Sequence, residues 1–224
     1  MGVILLKIVE AYVGEYASGK SENAVNRALE LIEKGRKVTL VDLDLVEPFY
    51  TLRPLKKMLE NKGIEVIAWE TKETFGLGEA GYVLKPQMRW ALRREGDVIF
   101  DVGYGIQGIK IFNLVEGLWE DKDLKVYVVV NISRPLTSSV EDIVSYLHSF
   151  KKVDGLINNS HLGEQTDLDI IEEGAHIVGE VSCITQVPVI ASTMEKNFAA
   201  LVGSELFMGY PVRYIERYMP QTFW

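Results

Sequence analysis

Eight consecutive residues, Gly14-Glu15-Tyr16-Ala17-Ser18-Gly19-Lys20-Ser21, carry the strongest chemical signal in the sequence. They fit the pattern G-x-x-x-x-G-K-[ST], in which every fixed position has a physical role. Glycines let main-chain N–H groups curl around phosphate oxygens, Lys20 reaches the terminal phosphates, and Ser21 ligates magnesium. A helical pattern follows at once, so the positive end of a helix dipole adds to anion binding, with Glu22 in the same candidate stretch.

Two further groups supply acids. Val38-Thr39-Leu40-Val41-Asp42-Leu43-Asp44 is an apolar run ending in two carboxylates, which makes Asp42 and Asp44 candidates for metal and water. Asp97-Val98-Ile99-Phe100-Asp101-Val102-Gly103 leads to Asp101, an acid able to hold magnesium through water, and then to a glycine that lets the main chain approach a terminal phosphate. An acid at a strand end is also an ordinary turn former. The three elements gain weight from falling, in order, at predicted strand ends.

Short apolar runs separated by longer amphipathic stretches predict parallel strands alternating with crossover helices. Strands are expected near 6–13, 37–42, 65–68, 97–101, 126–131, 155–158 and 187–191. Helices are expected near 19–34, 53–61, 86–94, 107–116, 138–150, 168–177 and 196–208. The resulting fold class is α/β, a doubly wound, mostly parallel sheet with helices on both faces, formed by residues 1–224 as a single domain.

Composition removes several alternatives. The chain has 224 residues, 47% of them hydrophobic, enough for a full core, and no apolar run long enough to span a bilayer, so a cytoplasmic protein is expected. A formal charge of −8, from 32 acidic and 24 basic residues, disfavours nucleic acid and anionic membranes as partners. The single cysteine, Cys183, excludes a CxxC pair and, among Val181, Ile184 and Val187, reads as a buried thiol. His148 and His176 fall within helical patterns, and no zinc site is expected there. His161 reads as a loop histidine, with contact to nucleotide or a partner as the sharper alternative. The glycine-rich Thr74–Tyr82 stretch reads either as a lid or as a plain flexible loop.

In the order and spacing of Gly14–Ser21, Val41-Asp42-Leu43-Asp44 and Asp101-Val102-Gly103, the chain resembles the MinD/ParA/CobQ group of P-loop ATPases, of the SIMIBI class, over roughly residues 8–191. The resemblance implies the P-loop NTPase fold, with Asp44 orienting the attacking water and Asp101 supporting magnesium. It also implies an adenine-reading asparagine after a late strand. Gly155-Leu156-Ile157-Asn158-Asn159 has that form, with Asn159 the first choice and Asn158 the second. The absence of an NKxD sequence favours ATP, or ADP, over guanine nucleotides. ParA, MinD and nitrogenase iron protein relatives carry a lysine just after the first P-loop glycine, where this chain has Glu15. That departure puts a nucleotide-sandwich homodimer in question and predicts a Glu15 side chain facing outward or engaging a partner. Membrane attachment of the MinD kind needs a basic amphipathic tail, whereas Val212–Tyr218 is mixed in charge and reads as core packing.

The leading functional expectation is therefore a slow, partner-regulated Mg-ATPase, with Lys20, Asp44 and Asp101 as its catalytic groups and a client protein as its target. An ATP-dependent small-molecule kinase or ligase of the dethiobiotin synthetase or cobyrinate synthase type is the first rival, in which Arg89, Arg93 and Arg94 support an acceptor. A non-catalytic nucleotide sensor is the second.

Overall fold

The computed structural model describes residues 6–45, 52–69 and 84–219, among which are nine strands and seven α-helices. In chain order they are β1 (Val9–Gly14), α1 (Lys20–Glu33), β2 (Val38–Leu43), α2 (Lys56–Asn61), β3 (Glu65–Ile67), α3 (Pro86–Arg89), β4 (Asp97–Val102) and α4 (Gly105–Phe112). There follow β5 (Leu124–Val130), α5 (Val140–Leu147), β6 (Gly155–Asn158), α6 (Leu168–Thr185), β7 (Val189–Glu195), α7 (Ala199–Val202), β8 (Leu206–Phe207) and β9 (Tyr210–Ile215).

The strands form one sheet in the order β3-β2-β4-β1-β5-β6-β7-β9-β8, parallel throughout except for β8 against β9. Strand β1 lies between β4 and β5, so the chain winds to one side of β1 and then to the other. Such a switch point opens a crevice at the carboxyl ends of the strands, which is where the Gly14–Ser21 loop emerges.

Period-two alternation divides the core between the faces. Val9, Ala11 and Val13 of β1 join a layer with Ile111, Phe112, Ile143 and Val178 from α4, α5 and α6. On the other face Tyr12 packs with Ala24, Val25, Ala28 and Leu31, the apolar stripe of α1. Two helix starts are fixed by side chains: Ser139 Oγ accepts from the Asp142 N–H at 3.1 Å, and Asp167 Oδ1 from the Ile170 N–H at 3.0 Å.

The structure corrects three expectations. Residues 196–208 were expected to be one helix, but only Ala199–Val202 is α-helical, and the chain then makes the β8–β9 hairpin. Met208 (φ 53°) and Gly209 (φ 84°) are both left-handed, as a tight two-residue hairpin turn of the primed kind requires. Helix α6 runs on to Thr185, past the expected end at 177. Its last turn carries Cys183 on the solvent face, so this thiol is exposed and not buried. The Thr74–Tyr82 stretch and Glu47-Pro48 lie outside the described residues. No helix among the described residues is long and apolar enough to cross a membrane.

Candidate functional site

The loop between β1 and α1 turns back sharply, with the Ser18 N–H donating to the Glu15 carbonyl at 3.2 Å. Gly19 has φ 93°, and a Cβ there would lie 2.1 Å from Asn159 Nδ2, so both the backbone angle and the close approach demand glycine. Ala17 also adopts a left-handed angle, φ 53°, uncommon for a residue with a side chain. Lys20 is buried, and its Nζ donates to the Glu15 carbonyl at 2.9 Å, drawing the ammonium across the loop. Burial lowers the Lys20 pKa, and the charges of Asp44, Asp101 and Glu15 oppose that fall.

Strand register assembles the acids. Asp42 of β2 sits beside Asp101 of β4, and Tyr12 of β1 flanks Asp101 on its other side. Asp101 is fully buried and neither carboxylate oxygen has a hydrogen-bond partner. Burial pushes its carboxyl up to about 7; the Ser21 hydroxyl, close enough to interact but outside hydrogen-bonding geometry, draws it down, while the Asp44 charge pushes it further up. Asp44 is buried against the main chain of Gly103, where an added Cβ would meet Asp44 Oδ1 at 3.0 Å. Thus Lys20, Ser21, Asp44 and Asp101 are brought together. Asp42 instead shapes the loop leaving β2, since its Oδ1 accepts from the Asp44 N–H at 3.0 Å and its Oδ2 from the Leu52 N–H at 3.1 Å. Burial, then the charges of Asp101 and Asp44, raise its pKa well above the usual carboxylate range.

Glu15 does not face outward; its side chain is engaged within its own chain. It is buried, and its Oε2 accepts from the Leu136 N–H at 3.1 Å and the Thr137 hydroxyl at 3.3 Å, tying the loop to the segment between β5 and α5. Burial raises its pKa against these two hydrogen bonds and the Arg134 charge. Tyr16, half exposed, meets Tyr104 edge to face at 5.3 Å between centroids.

The two asparagines differ in what they hold. Asn158 Nδ2 donates to the Ile171 carbonyl at 3.0 Å, and its Oδ1 accepts from the Ser160 N–H and hydroxyl at 3.2 and 2.7 Å, so this side chain is fully engaged beneath the loop. Asn159 Nδ2 donates to the Ser18 carbonyl at 2.8 Å, while its Oδ1 accepts from Asn23 Nδ2 at 3.3 Å. Asn159 therefore braces the phosphate loop directly.

Beside that brace lies a recess between the first turn of α1, the loop after β6 and the carboxyl ends of β7 and β9. Ile171, Met194, Phe198 and Ile215 give it an apolar wall, and Gly19, Asn159, His161 and Arg217 are among its polar surroundings. Burial, with help from the Arg134 and Arg217 charges, pushes the His161 imidazole down to about 4. Glu22 also lines this recess, and its carboxylate accepts main-chain N–H groups of Tyr218 and Met219. Asn23 and Arg217 were not singled out from the sequence. An asparagine inside a helical run was a weak hint, since it competes with the helix backbone, whereas Arg217 lay in a stretch read as core packing.

The arginines proposed for an acceptor lie elsewhere. Arg94 pairs at 2.9 Å with Glu65, the first residue of β3, Arg93 stacks 3.7 Å over Trp90, and Arg89 pairs at 3.1 Å with Glu116. Arg93 and Arg94 precede β4, at the end of the strands opposite to the phosphate loop.

No protein-family model matches the sequence, and no curated protein matches it. Solved structures do match in fold. The cell division protein FtsY of Thermotoga maritima is 14% identical with a TM-score of 0.55, over 84% of this chain and 62% of that one. A nucleotide-binding protein of Archaeoglobus fulgidus, solved in complex with ADP, is 18% identical with a TM-score of 0.53, over 87% of this chain and 84% of that one. The signal recognition particle 54 kDa protein of Aeropyrum pernix, in complex with GDP, is 18% identical with a TM-score of 0.53, over 84% of this chain and 41% of that one. This chain thus spans 62% of the length of the Thermotoga FtsY and shares with these structures a mostly parallel sheet flanked by helices.

Proposed function

We propose that this protein binds a magnesium nucleoside triphosphate, ATP in our reading, at Gly14–Ser21, hydrolyses it slowly, and uses the change to switch a partner protein. The observation that carries the reading is Asp101: a fully buried carboxylate with two unbonded oxygens, set with Asp44 near the ammonium of Lys20. Buried polar atoms are almost always paired, so an orphaned carboxylate among strand ends marks a place for a cation or water.

The donor set fits magnesium, a hard cation that takes a few protein oxygens together with phosphate and water. Ser21 would ligate it with Asp101 behind, and Asp44 is the remaining acid at that strand end. When bound, the ion neutralises charge on the phosphates. Main-chain N–H groups of the loop hold the phosphate oxygens, Lys20 swings from the Glu15 carbonyl to the terminal phosphates, and Asp44 orients water for attack. The nucleoside takes the recess beside Asn159. Support for a purine nucleotide comes from the ADP and GDP in the structures of similar fold. The choice of adenine rests on the Asn158-Asn159 sequence without an NKxD motif.

Replacement of Lys20 by alanine is expected to abolish Mg-ATP binding in calorimetry. Unchanged affinity sinks the proposal. Turnover stimulated by a protein supports the switch, whereas phosphate appearing on a metabolite would replace it with a kinase.

A further inference from the structure

The four residues after β9 are strapped to α1. Asn26 holds Glu216 by both edges: its Nδ2 donates to the Glu216 carbonyl at 2.8 Å, and its Oδ1 accepts from the Glu216 N–H at 2.9 Å. One turn earlier on the same ridge of α1, Glu22 accepts from the N–H groups of Tyr218 at 3.0 Å and Met219 at 2.7 Å. Tyr218 and Met219 pack onto the core on the α1 side of the sheet. Arg217, between these two fastenings, turns the other way. It lines the recess, with its guanidinium 3.4 Å from the Glu195 carboxylate and its side chain one-third exposed.

We propose that Arg217 contacts the nucleoside part of the bound nucleotide, and that the Glu216–Met219 strap which carries it belongs to the nucleotide site. The inference rests on the reading of Gly14–Ser21 as that site. The recess adjoins the loop at Gly19 and Asn159, and its Ile171, Met194, Phe198 and Ile215 wall suits the flat apolar face of a base. A guanidinium at the rim is planar and weakly hydrated, so it covers such a ring by stacking and by attraction to its π-face. Glu195 holds the guanidinium at the rim. Asn26 is a positioning residue, acting only through the strap, and Glu22 serves as its buckle directly behind Ser21.

The test compares two ligands on the full chain by calorimetry: Mg-ATP, which fills loop and recess, and magnesium tripolyphosphate, which fills the loop alone. Arg217→Ala is expected to weaken Mg-ATP about tenfold, the scale of a partly desolvated cation–π contact, and to leave tripolyphosphate unchanged. Asn26→Ala is expected to shift the same ratio in the same direction by a smaller factor. Arg217→Lys keeps a cation beside Glu195 but loses the flat face, and is expected to fall between wild type and alanine; it also serves if the alanine variant does not fold. Unchanged Mg-ATP affinity in Arg217→Ala overturns the proposal. Equal losses for both ligands overturn it too, since the effect would then reach the phosphates through the fold. If wild-type protein binds tripolyphosphate but not Mg-ATP, the recess assignment fails while the anion loop stands; if it binds neither, the nucleotide reading itself fails.

Discussion

The side-chain amide of Asn159 donates to the carbonyl of Ser18 across 2.8 Å, joining the end of β6 to the middle of the phosphate loop. Asn23, in the first turns of α1, completes the bridge through the Asn159 oxygen. An asparagine that only read a base would leave the empty protein's stability untouched. Here Asn159→Ala removes the amide donor to the Ser18 carbonyl and one of the two acceptors of Asn23 Nδ2, which keeps the Gly19 carbonyl, at about 1–3 kcal/mol in the absence of any nucleotide. Denaturant unfolding of the nucleotide-free protein checks this, and an unchanged midpoint would show that the bridge contributes nothing.

Glu15 follows the first glycine of the phosphate loop, and its carboxylate is committed to Leu136 and Thr137 within its own chain. Glu15→Lys removes the acceptor from the Leu136 N–H and sets a second cation near Arg134, whose charge already acts on this site. The expected loss is about 2–3 kcal/mol, the scale of a hydrogen bond to a charged group left unmade. Thermal unfolding measures it. A variant as stable as wild type would mean that the 135–137 turn holds the loop without help from position 15.

These bridges explain which parts of the molecule could be read from sequence. The strand ends near Gly14, Asp42, Asp101 and Asn158 were legible because an apolar run stops there and a glycine, acid or amide punctuates it, all local signals. Fold class and loop followed from those same signals. The partners of Glu15, Asn159 and Glu22 lie more than 100 residues away, at Leu136, Ser18 and Tyr218, and no local pattern encodes such pairings. The β8–β9 hairpin was hidden for a different reason. Strand β8 has only two residues and β9 contains Pro211, so alternation is too short and too interrupted to compete with a helical reading.

His161 gives the protein a pH dependence of definite sign. Its folded pKa of about 4 lies below the 6.5 of an exposed histidine, so the unfolded chain binds the proton more tightly. The stability this neutral imidazole confers is complete above pH 6.5 and is lost as pH falls towards 4. The span corresponds to roughly 3 kcal/mol. His161→Asn is expected to flatten the stability curve over that window in urea titrations at stepped pH. A variant whose curve parallels wild type would assign the acid sensitivity to the carboxylates.

Glu10 places a charge in the central strand of the sheet, where only 5% of the residue is exposed. Arg27 of α1 answers it with two contacts, Nε to Oε2 at 3.0 Å and Nη2 to Oε1 at 2.9 Å, and the Tyr12 hydroxyl donates to the same carboxylate at 2.9 Å. Arg213 of β9 reaches the Tyr12 hydroxyl at 3.3 Å, so the cluster links β1, α1 and β9 behind the phosphate loop. Removing one member of a buried pair leaves an uncompensated charge, so Arg27→Ala is expected to cost about 3–5 kcal/mol. Glu10→Leu in the same background replaces the stranded carboxylate with apolar volume against Tyr12 and Tyr127, and is expected to recover most of that loss. Chemical denaturation of the single and double variants decides the matter. If the double variant is no more stable than Arg27→Ala, the charge of Glu10 is not what makes the single change costly.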